Sequence, residues 1–239
     1  MPHVAVVSRE QLGESPLWPT LAVLIAATLY ATLPTRFIAG SSSAGIYGTV
    51  RWIVPALTVL LLAPLVLAVP RRRLFESAGA HVAALRLTRR IASLSVIAVV
   101  SAANAASIVL LVHFLVAGAQ TDARLLLRAG IHMWCMNVLV FALWFWQLDG
   151  GGPLRRRVAA DPVGERDFLF PQQAGGDAGR GWQPTFVDYL YLSYTNATAF
   201  SPTDAMPLGK WAKMLMLVES AASLLLAIMV VARAVNILK

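Results

Sequence analysis

Cysteine is the scarcest informative residue in this chain of 239 residues. The single cysteine, Cys135, lies inside an apolar run. One cysteine excludes a disulfide within the chain and a thiolate metal cluster, so we expect Cys135 to be a small packing residue. The four histidines are scattered, without the spacing of metal ligands. The sequence therefore predicts no bound metal and no cofactor.

Motifs for catalysis are missing as well. The chain contains no HExxH sequence, no nucleophile elbow, no phosphate-binding loop and no paired carboxylates at catalytic spacing. An intramembrane protease would need a Ser–His pair or two aspartates within helices, and the sequence offers neither. We therefore expect no catalytic residues and no enzymatic activity.

Charge is sparse, and it is unevenly distributed. Only 13% of the residues are charged, whereas 58% are hydrophobic, a balance typical of a polytopic membrane protein. The net charge of +8 does not indicate a nucleic-acid partner, because the aromatics are not interleaved with the basic runs. Arginines of this kind accumulate in cytoplasmic loops beside anionic lipid, which is the partner we expect.

Long apolar runs predict an all-α fold that crosses the membrane five times. A crossing helix needs about 20 residues, and Pro55 and Pro64 predict kinks in the second segment. A cleaved signal peptide is disfavoured for the first segment, because Glu10 and Glu14 precede it. The five predicted segments are residues 18–33, 52–69, 91–119, 129–148 and 208–238.

Two regions follow from this division. Residues 1–128 form a three-helix N-terminal region that includes an arginine-flanked stretch, 71–90, expected to be an amphipathic helix at the membrane surface. Residues 129–239 form a second module, in which a flexible Gly-containing loop, 149–184, precedes a short segment, 185–207. The distribution of lysine and arginine predicts a cytoplasmic N-terminus and an external C-terminus.

The short segment combines helical and broken backbone. Residues 185–198 would make a helix of about 21 Å, which is too short to cross a bilayer. Pro202 and Pro207 then interrupt the chain, and either Pro207 or a cap from Ser201 to Asp204 is expected to open the last helix. Irregular backbone at membrane depth persists only where protein buries it or where it lines a cavity. The pattern predicts a re-entrant half-helix; the alternative is a surface loop beside an interfacial helix.

A resemblance is carried by "YLSYTNATAFSPTD", which is similar to the pattern "YFSFVTLTTVGYGD" of tetrameric pore-loop cation channels. Residues 129–238 resemble the outer helix, pore helix, filter and inner helix of those channels. The chain also resembles, more loosely, a bacterial integral-membrane family of unknown function. The resemblance implies a multi-pass protein of the bacterial cytoplasmic membrane, a homotetramer and a monovalent cation as the conducted ion. The filter-like residues that it implies are Thr195, Asn196, Thr198, Ala199, Phe200, Ser201, Pro202, Thr203 and Asp204.

The filter-like loop departs from that family at five positions, of which Ala199 stands in place of the second threonine and Phe200 in place of the valine. Ser201 and Thr203 stand in place of the two glycines, and Pro202 stands in place of the tyrosine. A potassium filter uses glycines for backbone conformations that other residues resist, so we expect a filter that is not of the potassium type. The resulting hypothesis is a cation-conducting pore-loop channel. The alternatives are a non-conducting assembly protein with the same fold and a small proton-linked transporter that uses Glu219.

Polar residues within the apolar segments complete the candidate site. Glu219 lies deep in the last helix, where a charge costs about 2.5–3.5 kcal/mol. It is either a pore-facing or proton-linked carboxylate or a protonated acid hydrogen-bonded to another helix. Asn137 and Asn236 are expected to form hydrogen bonds between helices, as polar residues in membrane helices commonly do, whereas Asn104 is expected to mediate helix packing.

Overall fold

The computed structural model describes most of the chain, in seven ranges. These are residues 17–34, 52–58, 79–118, 122–156, 166–174, 182–198 and 204–237. Within them the protein is almost entirely helical, with one two-stranded antiparallel sheet. The elements are α1 Leu17–Thr32, α2 Gly79–Val116, α3 Ala123–Leu148, α4 Pro153–Arg156, β1 Phe168–Leu169, α5 Pro171–Ala174, α6 Phe186–Thr198, β2 Met206–Pro207 and α7 Lys210–Ile237.

Three of these helices, α2, α3 and α7, are long and apolar enough to cross a membrane. The helix α1 has 16 residues, which span about 24 Å and fall short of the hydrocarbon thickness. The second predicted crossing is helical over residues 52–58, and its remainder, 59–69, lies outside the described residues. The prediction of a helical membrane protein is therefore supported, whereas five crossings are not confirmed.

The helix α2 differs from the sequence expectation at its start. Residues 79–90 continue without a break into the apolar stretch, so one helix of 38 residues replaces a separate surface helix and a crossing. The physical reason is that neither proline nor a turn sequence separates "LTRR" from "IASL". Residues 71–78 of the predicted amphipathic segment lie outside the described residues.

The helix α3 is the centre of the bundle and packs against α1, α2, α6 and α7. It begins at Ala123 rather than near residue 129, because the Asp122 side chain caps it by accepting a hydrogen bond from the Arg124 N–H at 2.9 Å. Its crossing with α7 is close at Gly130, where a Cβ atom would lie 2.8 Å from Val230 Cγ2. A residue without a side chain thus brings the two backbones together.

The chain after α3 turns sharply through "DGGG" instead of forming a wholly irregular loop. Gly150, Gly151 and Gly152 have φ values of 55°, 77° and 105°, a region that glycine enters without a steric penalty. This turn leads into α4, and the later strand β1 pairs with β2 in the register Phe168 to Pro207 and Leu169 to Met206. Part of the predicted flexible loop 149–184 is therefore folded.

The start of α7 also differs from the prediction. Pro207 lies in β2 and the helix begins at Lys210, so Pro207 does not open its first turn. A proline can occupy a strand of this kind because an edge position needs no N–H from it. Ser201 and Pro202, the alternative cap, lie outside the described residues.

Candidate functional site around Glu219

The short helix α6 begins at a hydrogen-bonded cap. The Asp188 carboxylate accepts from the Thr185 N–H at 2.7 Å and from the Thr185 hydroxyl at 2.8 Å. A carboxylate in the first turn also interacts favourably with the helix dipole. This cap fixes the beginning of a 13-residue helix packed against both α3 and α7.

A buried cluster holds the beginning of α6 to the end of α3. The Tyr189 hydroxyl donates to Asp149, whose other carboxylate oxygen accepts from the Asp167 N–H at 2.7 Å and the Phe168 N–H at 3.2 Å. Arg156 donates to the Asp149 carbonyl at 2.6 Å and lies over the Tyr189 ring. Asp149 is fully buried, so these hydrogen bonds replace the water that it loses.

Asp167 lies next to this cluster, and its pKa is raised above the ordinary value of 3.8. Burial is the largest cause, and the neighbouring Asp149 carboxylate raises it further. The Gly150 N–H and the Trp211 side chain act in the opposite direction by hydrogen bonding to the carboxylate. Gly209 allows the close approach, since a Cβ there would lie 2.4 Å from Asp167 Oδ1.

Aromatic rings fill the space around the cluster. Phe168 packs edge-on against Phe145 at 5.1 Å and against Trp211 at 6.2 Å, and Phe170 packs edge-on against Tyr189 at 5.4 Å. These geometries are the favourable ones for aromatic pairs. The β1–β2 pair, the end of α3, the beginning of α6 and the beginning of α7 therefore form one packed end of the molecule, which we call the aromatic end.

Further along α6, two polar side chains reach Glu219 of α7. The Ser193 hydroxyl contacts Glu219 Oε1 and also lies 2.7 Å from the Val138 carbonyl of α3. Asn196 donates to Glu219 Oε2 at 2.6 Å and to the Met216 carbonyl at 2.9 Å. Ser220 then donates to the Asn196 side-chain oxygen at 3.0 Å. Both Glu219 and Ser193 have 0% exposure, so this contact lies wholly within the protein.

The polar cluster continues towards α2 through two asparagines. Asn137 of α3 donates to the Ser223 hydroxyl at 2.9 Å, and it lies 3.4 Å from the Glu219 carbonyl. Asn104 of α2 donates to Asn137 at 3.5 Å, while its own amide oxygen is buried without a partner among the described residues. The prediction of a hydrogen bond between helices is confirmed for Asn137, whereas the side chain of Asn236 lies outside the described part of the structure. The four helices α2, α3, α6 and α7 thus share one buried polar network.

The structure brings together only part of the predicted filter-like set. Asn196 joins Glu219, whereas the Thr195 and Thr198 hydroxyls donate to carbonyls of their own helix. Asp204 is exposed on the returning segment. The remaining predicted residues, Ala199, Phe200, Ser201, Pro202 and Thr203, lie outside the described residues.

Five residues of these clusters were not predicted from the sequence: Ser193, Tyr189, Asp149, Arg156 and Asp167. Two signals were present: Ser193 lies three residues before Asn196 on one helical face, and Asp149 directly precedes three glycines. In the part of the chain that the structure describes, no group of three or more His, Cys, Asp or Glu side chains could hold a metal ion.

Comparisons of the chain with known protein families, curated proteins and solved structures give no match.

Proposed function

We propose that the chain is one subunit of an oligomeric, cation-conducting membrane channel. In this proposal α3 is the outer helix, α6 the half-helix and α7 the inner helix of a re-entrant pore loop. The packing of α6 between α3 and α7 supports it, as does the length of α6, about 20 Å, which is too short to cross.

The observation that carries the proposal is where the two ends of the segment 186–207 lie. Tyr189, near the start of α6, bonds to Asp149 at the aromatic end. Asn196, near the end of α6, reaches Glu219, which is about nine residues or 14 Å into α7. The chain then returns to the aromatic end, where Met206 and Pro207 pair with β1. A segment that runs inward beside two membrane helices and returns to its starting end is what a pore loop requires.

The proposed lining of the pore is the segment that follows the contact of α6 with Glu219. We propose that residues 195–204 line it, with Asp204 at its mouth, because that carboxylate is exposed on the return to the aromatic end. One chain supplies a single loop, so closing a pore takes several copies, most simply a cyclic homotetramer. The ion is a monovalent cation, and the site lies in a bacterial cytoplasmic membrane with the loop entering from the cytoplasmic side.

Charge substitution at Asp204 tests conduction. In a bilayer with a salt gradient, Asp204→Asn should move the reversal potential towards zero, and Asp204→Lys should move it further or reverse it. Each substitution is repeated in every subunit, so its effect on the potential at the pore mouth is multiplied.

Asp122→Asn is the matched control, because it removes one negative charge at the start of α3, away from the aromatic end. Asparagine caps a helix as well as aspartate, so the fold should be unaffected. It should leave the reversal potential unchanged. Equal effects of both asparagine variants, or no effect of Asp204→Lys, would remove Asp204 from the pore.

A second candidate is a non-conducting assembly protein with the same fold. It is favoured by the network around Glu219, whose carboxylate oxygens are satisfied by α6 of the same chain. An oligomer that assembles normally and passes no current would support this candidate. A proton-linked transporter would instead lose transport in Glu219→Gln while its substrate binding is retained.

A further inference from the structure

The hydrogens around Glu219 can be counted one donor at a time. The Ser193 hydroxyl has one hydrogen, but it contacts two oxygens, Val138 O and Glu219 Oε1. The Val138 carbonyl can only accept. If Ser193 donates to it, the hydrogen between Ser193 and Glu219 must come from Glu219.

Asn196 cannot supply that hydrogen. Its amide group has two hydrogens, and they are directed to the Met216 carbonyl and to Glu219 Oε2. Glu219 Oε2 is therefore an acceptor, which leaves Oε1 as the oxygen that bears a hydrogen. A neutral carboxylic acid satisfies all four contacts, whereas a carboxylate leaves two acceptors facing each other or requires Ser193 to abandon Val138.

We propose that Glu219 is a proton-binding site and that its proton latches the half-helix α6 to α3 and α7. The proton lets Ser193 bridge the acid on α7 and the carbonyl on α3 at once. This inference rests on the proposed function in one respect: the latch would regulate the loop that α6 begins.

Among the residues that the structure describes, those that contact or flank the acid are uncharged. Ser193 and Asn196 of α6 contact the carboxyl oxygens, Asn137 of α3 lies near the main-chain carbonyl of Glu219, and Ser220 and Ser223 flank the residue on α7. Glu219 forms no ion pair with any described residue. Removing its proton would leave a charge with 0% exposure and no counterion.

Loss of the proton has a specific consequence for α6. The repulsion between Glu219 Oε1 and Ser193 Oγ is relieved only if Ser193 turns away from Val138 or α6 moves out from between the two helices. The first change costs the hydrogen bond to Val138 and with it this contact between α6 and α3. The second lets water approach the acid, because hydration is the alternative to the lost hydrogen bonds. The end of α6, which leads into residues 199–204, would then be released.

Amide hydrogen exchange of α6 measures that release. Wild type and Glu219→Gln are compared at equal pH from about pH 5 to about pH 10, so that the intrinsic pH dependence of exchange cancels. Glutamine is the matched control, because its amide can donate to Ser193 and accept from Asn196 without titrating. At the lowest pH values we expect the two proteins to exchange their α6 amides at equal rates. As pH rises, the wild-type rate should exceed the Glu219→Gln rate by a factor that grows roughly tenfold per pH unit until Glu219 is ionised. A ratio of wild-type to Glu219→Gln exchange rates that stays at one over the whole pH range would overturn the latch. Faster exchange in Glu219→Gln at low pH would overturn it as well.

Infrared difference spectroscopy gives a second readout that does not require the variant to match the wild-type fold closely. At neutral pH the wild type should show the carbonyl stretch of a protonated carboxylic acid that Glu219→Gln lacks. A carboxylate signature there instead would overturn the assignment. Neither measurement requires conduction. A protein that passes no current would therefore refute the proposed function without affecting the test of the latch.

Discussion

Asp149 and Asp167 are neighbouring carboxyl groups with different surroundings. Asp149 receives two backbone N–H groups and the Tyr189 hydroxyl. Asp167 receives the Gly150 N–H at a longer 3.3 Å, and both burial and the charge of Asp149 raise its pKa. The ionised form of Asp167 is therefore less favourable in the folded protein than in the unfolded chain, which means that it opposes stability at neutral pH.

Asp167→Asn should raise the unfolding temperature at neutral pH. The pKa of Asp167 is higher in the folded state than its ordinary value of 3.8. Between these two pKa values the folded protein keeps a proton that the unfolded chain has lost. The free energy of unfolding therefore falls as pH rises from the ordinary pKa to the folded pKa. The full cost of burying the ionised group is present above the folded pKa. The gain from asparagine should be below about 1 kcal/mol, because the carboxyl group is partly exposed to solvent.

The measurement is thermal unfolding of both proteins in detergent over a pH series. The advantage of Asp167→Asn should disappear as the pH approaches the ordinary aspartate value. Asp188→Asn is a useful contrast, because it weakens the cap of α6 and should lower the unfolding temperature at neutral pH. An advantage of Asp167→Asn that grows on acidification would show that the assigned cause is wrong.

Single residues were predictable from the sequence where membrane depth made polarity costly. Glu219 and Asn137 stood out because each lies within an apolar run, and both are buried in the network. Ser193 and Tyr189 did not stand out, because serine and tyrosine are ordinary residues in a short aromatic segment. Their roles depend on which helix packs beside them, and the periodicity of one segment carries no information about its neighbour.

The crossing of α3 and α7 depends on the absence of a side chain at Gly130. An added Cβ would lie 2.8 Å and 2.9 Å from the two γ-carbons of Val230, which is closer than packed carbon atoms approach. Gly130→Ala should therefore destabilise the bundle by about 1–3 kcal/mol, the usual cost of overpacking.

Val230→Ala provides the matched partner for a double-mutant cycle. It removes the two methyl groups that the new Cβ would meet, so the double variant should be more stable than the sum of the single effects predicts, by about 0.5–3 kcal/mol. Chemical unfolding of the four proteins in the same detergent measures this coupling. Additive single effects would indicate that the two helices do not approach each other at this point.

Elements were predicted well where helical sequence was long and uninterrupted. The short helix was expected over 185–198 and is observed at Phe186–Thr198, and the last helix was expected over 208–238 and is observed at Lys210–Ile237. Prediction was less successful at the junctions. Pro207 suits the first turn of a helix as well as an edge strand, and only its pairing with Phe168, about 40 residues earlier, decides between them.

At the scale of the whole molecule, α7 presents an extensive apolar surface. Leu217, Val218, Leu224 and Ile228 are each more than half exposed in the isolated chain, with exposures of 60%, 52%, 53% and 57%. In a bilayer such a surface contacts lipid or other subunits rather than water, since a soluble chain rarely exposes a patch of this extent. The composition predicted this class of protein, because 58% hydrophobic residues exceed what one core can bury. The number of crossings and the orientation stay predictions.

Copy number is the property of the whole molecule on which the proposed channel depends. In the proposed channel each chain contributes one segment that enters and returns at the aromatic end, and one loop cannot enclose a pore by itself. Native mass spectrometry of the purified protein in its detergent or lipid particle counts the chains directly. We predict four copies arranged around one axis. A stable monomer, folded and retaining the α6 contacts to Glu219, would contradict the single-loop pore.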